Sequence, residues 1–251
     1  MTSAGRVAVV TGGAAGIGLA ISERLAQDGF KVAILDVVDG AAEQAAKSIE
    51  AAGGVARGYR ADVSDRAAVD AALAEARAEL GPPAAVVANA AVALQQSFLD
   101  MTLEQWNATL AINLTGTFNV VQSALPDLVE AGWGRVVLIS SSSAQRGAPR
   151  MAHYAASKGG QMALTKALAV EFAKTGVTVN TVAPSSIDTP SVQKKRAAGA
   201  MPSAEDMAKY IPVGRMGTGA DIAAAVAYLA SDEASYVTGQ TISVNGGSFI
   251  G

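Results

Sequence analysis

Short apolar runs alternate with amphipathic segments along almost the whole chain, and this alternation limits the fold more than any other feature. The apolar runs predict buried strands at 7–10, 32–35, 55–63, 84–90, 136–139, 177–182 and 240–244. Apolar residues three and four positions apart predict helices at 17–27, 41–52, 67–80, 103–129, 155–173 and 221–230. Strands that alternate with helices form a parallel sheet covered on both faces. We therefore expect a single α/β domain with a doubly wound parallel sheet.

Composition excludes several classes of function. The chain has 251 residues, half of them hydrophobic, so it can bury a large core. It has no cysteine and one histidine, His153, which argues against a disulfide framework, a metal site or a Ser-His-Asp triad. A net charge of −3 gives no electrostatic reason to bind nucleic acid or an anionic membrane. The N-terminal residues lack the apolar length of a signal peptide or membrane span, so we expect a cytoplasmic protein.

The turn after the first predicted strand is rich in glycine, at Gly12, Gly16 and Gly18. Glycines let the backbone approach a pyrophosphate, and the start of a helix offers free N–H groups to it. The spacing differs from the standard dinucleotide fingerprint G-x-G-x-x-G. Asp36 follows at the end of the second predicted strand, where a carboxylate binds a ribose 2′-hydroxyl and repels a 2′-phosphate. With no Arg or Lys in the turn or next to Asp36, the pattern favours NAD over NADP.

A second polar stretch runs from four consecutive serines at 140–143 to Tyr154 and Lys158. The serines end a predicted strand, and Tyr154 and Lys158 lie one turn apart on a predicted helix, where they are neighbours. The pKa of a tyrosine is ordinarily near ~10, and a nearby positive charge lowers it. A tyrosine tuned in this way can donate or accept a proton at working pH. Taken alone, such a pair is also common on solvated helix surfaces.

Taken in order, these motifs resemble the short-chain dehydrogenase/reductase family over nearly the whole chain. The matching residues are Thr11-Gly12-x3-Gly16-x-Gly18, Asp62-Val63, Ala88-Asn89-Ala90-Ala91, Asn113, Ser141, Tyr154-x3-Lys158 and Asn180-x3-Pro184. The resemblance implies one Rossmann-type domain over 1–251 that binds a nicotinamide dinucleotide, with a substrate-binding insertion at about 185–215. The chain departs from the family pattern at two places. Alanines replace the first and last residues of the usual N-N-A-G, which reads A-N-A-A at 88–91, and Ser185 replaces the usual glycine after Pro184.

The resemblance also implies a role for each matching residue. Tyr154 would be the general acid/base, Lys158 would bind the nicotinamide ribose and lower the tyrosine pKa, and Ser141 would orient the substrate oxygen. Asn113 would hold a water that links the lysine to solvent in a proton relay. The cofactor-binding set would be Gly12, Gly16, Ile17, Gly18, Asp36, Asp62, Val63, Asn89, Tyr154, Lys158, Ile187 and Thr189.

The substrate is less well defined by the sequence. The candidate pocket residues are small or apolar and favour an uncharged alcohol or ketone; they are Val92, Leu94, Ser143, Met151, Ser185 and Val192. Five cations offer an alternative, since Arg146, Arg150 and the run 194–196 can either bind a carboxylate or phosphate or form a solvated surface. We expect His153 to be exposed on another face of the helix that carries Tyr154.

Three functions fit the sequence. The first is an NAD-dependent oxidoreductase that interconverts a secondary alcohol and a ketone. The second is an NADPH-linked 3-oxoacyl reductase, against which Asp36 argues. The third is a sensor that binds NAD without catalysis, against which the set Asn113, Ser141, Tyr154 and Lys158 argues. The family resemblance also implies a homotetramer built through the helices predicted at 103–129 and 155–173.

Overall fold

A parallel β-sheet forms the centre of the molecule in the computed structural model, which describes residues 5–250. Within those residues its seven strands are β1 to β7, at Val7–Thr11, Lys31–Asp36, Val55–Arg60, Pro83–Ala88, Gly134–Ile139, Val177–Pro184 and Thr241–Val244. Their order across the sheet is β3-β2-β1-β4-β5-β6-β7, with every neighbouring pair parallel. The predicted Rossmann-type, doubly wound fold is therefore confirmed.

Helices cover both faces of the sheet. In chain order α1 to α10 are Gly16–Gln27, Ala41–Ala51, Arg66–Leu80, Leu103–Leu110, Gly116–Glu130, Ser142–Arg146, Ala152–Phe172, Pro190–Ala197, Ala204–Ala208 and Gly219–Leu229. None of the helices within residues 5–250 is long and apolar enough to cross a membrane.

The strands are apolar on both faces because each face packs on its own layer of helices. In β1, Ala8 and Val10 belong to one buried cluster, while Val7 and Val9 belong to the other. All four side chains are almost completely inaccessible to solvent. Continuous apolar runs are what a strand between two helical layers requires, since side chains alternate between faces.

The helix predicted at 103–129 is interrupted. A π-helical turn, Ala111–Thr115, separates α4 from α5 and places Asn113 at its centre. Such insertions are frequent at functional sites. Two strands also end earlier than predicted, β3 at Arg60 and β4 at Ala88.

The insertion after β6 contains two short helices, α8 and α9, rather than only loop. The order of the strands reverses between β1 and β4, and parallel sheets bind ligands beyond the carboxyl ends of the strands at such a point.

Candidate active site

A cavity of about 580 Å³ opens at the carboxyl ends of β1, β4, β5 and β6. The segments that follow these four strands supply most of its wall, and α7 and α8 supply the rest. Of the predicted site residues, those that line it are Gly12, Gly16, Ile17, Gly18, Asn89, Ser141, Ser143, Tyr154, Lys158, Ser185, Ile187, Thr189 and Val192. The structure thus brings the two polar stretches of the sequence into one site.

The glycine turn has the conformation that its sequence predicts. Gly12 and Gly16 have φ angles of +58° and +55°, in the left-handed region that favours glycine. A Cβ atom on Gly18 would lie 2.0 Å from the Gly12 carbonyl oxygen, so no other residue fits there without a shift of the backbone. No side chain of the described residues caps the start of α1. The first N–H groups of this helix are therefore available to an anion.

Two polar side chains hold this turn in place. The Asn89 amide donates to the carbonyl oxygens of Thr11 and Gly12, at 3.0 and 3.1 Å. The Asp36 carboxylate accepts from the Ala14 N–H at 3.3 Å and from the Val38 N–H at 3.2 Å. Asn89 and Asp36 therefore fix the shape of the turn from opposite sides.

Ser140 and Ser141 differ in what their hydroxyl groups do. The Ser140 hydroxyl donates to the Lys158 carbonyl at 2.8 Å, which fastens β5 to α7. Ser141 precedes α6, where its side chain accepts from the Ser143 N–H at 3.1 Å, and it also hydrogen-bonds Tyr154. Ser141 is thus the serine whose hydroxyl lies beside the phenol.

Lys158 is buried below the cavity, with a relative exposure of 2%. Its ammonium donates to the Ile139 carbonyl at 2.6 Å and lies 5.9 Å from the centre of the Tyr154 ring. Burial lowers the pKa of Lys158 from 10.5 to about 7, because a charge is disfavoured away from water.

The ionisation of Tyr154 differs from the sequence-based expectation. Burial raises the pKa of the Tyr154 phenol, and only the hydrogen bond with Ser141 acts in the opposite direction. Lys158 does not lower it here, because its Nζ is directed to the Ile139 carbonyl and its own charge is disfavoured. In the protein alone, the phenol therefore stays protonated and is a proton donor at neutral pH.

Asn113 connects the segment after β4 to α7. Its side-chain oxygen accepts from the Val92 N–H at 2.8 Å, and its amide donates to the Val92 carbonyl at 3.0 Å. The same amide donates to the Ser157 hydroxyl at 3.1 Å, and that hydroxyl donates to the Tyr154 carbonyl at 2.8 Å. Asn113 therefore positions the turn of α7 that carries the phenol.

Gln161 completes this network and was not singled out by sequence reasoning. Its side chain is inaccessible to solvent, and its amide donates to the Asn113 carbonyl at 2.9 Å and to the Thr117 hydroxyl at 2.7 Å. The Thr117 hydroxyl donates to the same Asn113 carbonyl at 2.8 Å. The carbonyl thus has two donors, and the relay water implied for Asn113 remains a prediction. The signal in the sequence was a glutamine four residues after Ser157 on one helix face.

Several predicted residues lie elsewhere. Val92, Leu94 and Met151 are absent from the wall of the cavity, and Leu94 is exposed. The Val92 backbone is held by the Asn113 side chain and Leu94 faces outward, so the assignment of these three residues to the substrate pocket remains a prediction.

The residues predicted to contact the adenine and its ribose also lie outside the cavity wall; they are Asp36, Asp62 and Val63. Val63 is buried, and its carbonyl accepts from the Asn119 amide at 2.8 Å. The Asp62 carboxylate accepts from the Ser64 N–H and hydroxyl. Their assignment to the cofactor remains a prediction.

The expectation of an exposed His153 was wrong. This side chain has a relative exposure of 1%, and its Nδ1 has no hydrogen-bond partner among the described residues. His153 lies on the same buried side of the first turns of α7 as Ser157, whereas Ala156 is exposed. The helical period gives the direction of a side chain but does not show what lies there.

Comparison with known proteins agrees with this geometry. The family described as Enoyl-(Acyl carrier protein) reductase matches residues 12–248. The chain belongs to the short-chain dehydrogenase/reductase family. A member of this family binds a nicotinamide cofactor, and the open backbone of the glycine turn and the uncapped start of α1 fit the pyrophosphate of such a dinucleotide.

Three relatives within the family span nearly the same length. The chain is 43% identical to the acetoacetyl-CoA reductase of Shinella zoogloeoides, over 97% of this chain and 98% of the relative. It is 38% identical to 2-(S)-hydroxypropyl-CoM dehydrogenase 3 of Xanthobacter autotrophicus, over 96% and 95%. It is 37% identical to the 3-oxoacyl-[acyl-carrier-protein] reductase FabG of Salmonella typhimurium, over all of both chains. These similarities support an oxidoreductase that acts on a ketone or the corresponding alcohol.

Proposed function

We propose that this protein interconverts a secondary alcohol and a ketone, with Tyr154 as the general acid/base. The observation that carries this proposal is the meeting of Ser141, Tyr154 and Lys158 in the cavity that the glycine turn also lines. A cofactor site and a proton donor in one cavity are what hydride transfer to a carbonyl needs.

In the direction of reduction, the Ser141 hydroxyl and the Tyr154 phenol both hydrogen-bond the carbonyl oxygen of the substrate. The bound nicotinamide cofactor supplies the hydride. The phenol donates its proton to the oxygen as the alcohol forms, and the raised pKa of Tyr154 keeps that proton available at neutral pH. Lys158 lies at the base of the cavity, where its amino group would bind the nicotinamide ribose of the cofactor.

Asn113 and Asn89 act at a distance from the reacting atoms. Asn113 holds the turn of α7 below Tyr154 through Ser157, and Asn89 holds the glycine turn. Both parts of the site are therefore held by buried or partly buried hydrogen bonds, which favours the short approach that the reaction needs.

For the cofactor we propose NAD rather than NADP. Asp36 stands at the end of β2 beside the glycine turn, where its charge would repel a 2′-phosphate. Arg60 is the register neighbour of Asp36 in β3, but its guanidinium is paired with Asp39. Asp36→Ser should raise the kcat/KM ratio of NADPH to NADH at least ~10-fold, whereas Asp70→Ser, at an exposed position on α3, is the matched control. A wild-type enzyme that prefers NADPH would contradict this assignment.

A second candidate is the reduction of a 3-oxoacyl thioester. Two of the three relatives above carry names of this kind, an acetoacetyl-CoA reductase and a 3-oxoacyl-[acyl-carrier-protein] reductase. Both candidates use the same Ser141, Tyr154 and Lys158 chemistry and differ in what is attached to the ketone. A panel of simple ketones, 3-oxo esters and acetoacetyl-CoA separates them by relative kcat/KM.

The central test is Tyr154→Phe, followed by absorbance of the reduced nicotinamide with that panel. We expect turnover to fall at least ~10³-fold while NAD binding is kept, because only the proton donor is lost. Tyr236→Phe is the matched control, since Tyr236 is fully exposed. A Tyr154→Phe enzyme that retains its turnover would refute the assignment, and NAD binding without turnover in the wild type would favour a sensor.

We also propose that the chain forms a homotetramer through α4, α5 and α7. An apolar groove between α7, α5 and the π-helical turn before α5 supports this proposal; it is lined by Leu114, Thr115, Phe118, Gly160, Ala163, Leu164 and Ala167. Ala163 is exposed on α7, and a charge there would oppose burial against another subunit. Ala163→Glu should reduce the mass measured by sedimentation equilibrium, and an unchanged mass would contradict the proposal.

A further inference from the structure

The charged side chains in the wall of the cavity all have the same sign. Among the described residues that line it, Arg146, Lys158 and Lys195 are basic and none is an aspartate or glutamate. The chain as a whole has a net charge of −3, so this local excess of positive charge opposes the overall balance. Clefts lined by one sign of charge concentrate ligands of the opposite sign.

Arg146 lies close to the reacting groups. It ends α6, the short helix that begins directly after Ser141. Five residues of helix span about 7 Å, so the guanidinium can reach a group attached near the substrate carbonyl. The preceding Gln145 hydrogen-bonds the Ser243 hydroxyl at 3.0 Å, which holds this end of α6 in place. Arg146 has no ion-pair partner within residues 5–250.

Lys195 approaches the cavity from α8. Of the three cations at 194–196, it alone belongs to the cavity wall in the part of the chain described. Arg196 is turned aside, since its guanidinium is paired with Asp188 at 2.7 Å. Lys195 has no such partner among the described residues, and it faces the site from the insertion rather than from the sheet.

We propose that Arg146 and Lys195 together form an anion-binding subsite for the substrate, so that the preferred substrate is a ketone or alcohol that carries a carboxylate or a phosphate. This inference rests on the proposed alcohol–ketone function. Both side chains are exposed, neither has an ion-pair partner within residues 5–250, and they line the cavity from two different elements. An anion that both side chains reach gains two charge-assisted hydrogen bonds. It revises the sequence-based preference for an uncharged substrate.

The test compares binding of charged and neutral ketones without turnover. The protein is saturated with the oxidised cofactor it binds better, which cannot reduce a ketone. Calorimetry then gives Kd for acetoacetate, for acetoacetyl-CoA and for neutral ethyl acetoacetate. The proteins are the wild type, Arg146→Gln, Lys195→Gln and the double variant, with Lys194→Gln as the matched control. Lys194 is an exposed lysine on the same helix that does not line the cavity.

We expect the wild type to bind at least one anionic ketone more tightly than the ester. Each single variant should reduce that preference about tenfold, the double variant should abolish it, and Lys194→Gln should leave it unchanged. Loss confined to acetoacetate identifies a carboxylate as the ligand, and loss confined to acetoacetyl-CoA identifies a phosphate. A wild type without any preference, or variants that weaken all three ketones equally, would overturn the subsite.

Two further readouts separate this inference from others. If Kd of the cofactor rises in the same variants by as much as that of the ketone, the cations serve the cofactor phosphates and the subsite is refuted. The proposed function is tested independently by turnover of ethyl acetoacetate in the wild type and in Tyr154→Phe. Failure there leaves the binding comparison intact, because that comparison needs no catalysis.

Discussion

Lys158 should destabilise the fold that it serves, and its replacement by methionine tests this. In Lys158→Met the new side chain has a similar length and helix preference but lacks the buried ammonium. Burial lowers the pKa of Lys158 from 10.5 to about 7. At pH 7 the Lys158 amino group is fully protonated in the unfolded chain but only partly protonated in the folded chain. This difference in pKa destabilises the folded state by about 4 kcal/mol.

The replacement also removes one interaction. Lys158 donates to the Ile139 carbonyl at 2.6 Å, and loss of this donor costs about 1–3 kcal/mol. At pH 7 the variant should therefore be more stable than the wild type by about 2 kcal/mol. Because the folded pKa lies below the unfolded one, the wild-type penalty is complete below pH 7 and disappears as pH rises from 7 to 10.5. Near pH 10.5 the variant should be the less stable protein by about 1–3 kcal/mol.

Urea denaturation at pH 7 and pH 10.5, without nucleotide and at one protein concentration, measures both differences. Other lysines and tyrosines titrate in both proteins, so their effects cancel in the comparison. Turnover should be lost in the variant. A variant that is less stable than the wild type at both pH values would refute this reasoning. A difference in the free energy of unfolding that does not change with pH would also refute the view that burial lowers the pKa of Lys158.

Three further substitutions have definite expected results. Gly18→Ala places a Cβ 2.0 Å from the Gly12 carbonyl oxygen, so the turn must shift and a fluorescence titration should show loss of cofactor binding. Gln161→Leu removes the amide donor to the Asn113 carbonyl and should lower both kcat and, by about 1–3 kcal/mol, the free energy of unfolding in urea. Trp133→Leu removes a ring whose centre lies 3.7 and 4.3 Å from two guanidinium groups. Thermal unfolding of this variant should occur at a lower Tm, while its kcat/KM stays unchanged. A Gly18→Ala protein that binds cofactor normally, an unaffected Gln161→Leu, or a Trp133→Leu that loses activity would each contradict its prediction.

The sequence determined the layers of the fold and the chemistry of the site. A strand with a continuous apolar run such as 136–139 must be buried on both faces. The parallel sheet follows from the alternation of such runs with amphipathic helical segments. The glycines at 12, 16 and 18 are needed for local backbone reasons, and Tyr154 and Lys158 are neighbours through helical geometry alone. Each of these inferences depends on contacts between residues close in the chain.

Only the tertiary structure decided the properties that depend on elements far apart in the chain. The burial of His153 and the direction of the Lys158 ammonium are set by what packs against α7, and the π-helical turn at Asn113 hydrogen-bonds that helix. The pairing of Arg196 with Asp188, which leaves Lys195 as the cation at the cavity, is set by the fold of the insertion. The period of a helix or strand determines the face on which a residue lies. The pKa of that residue and its hydrogen-bond partners depend on the other elements that pack against this face.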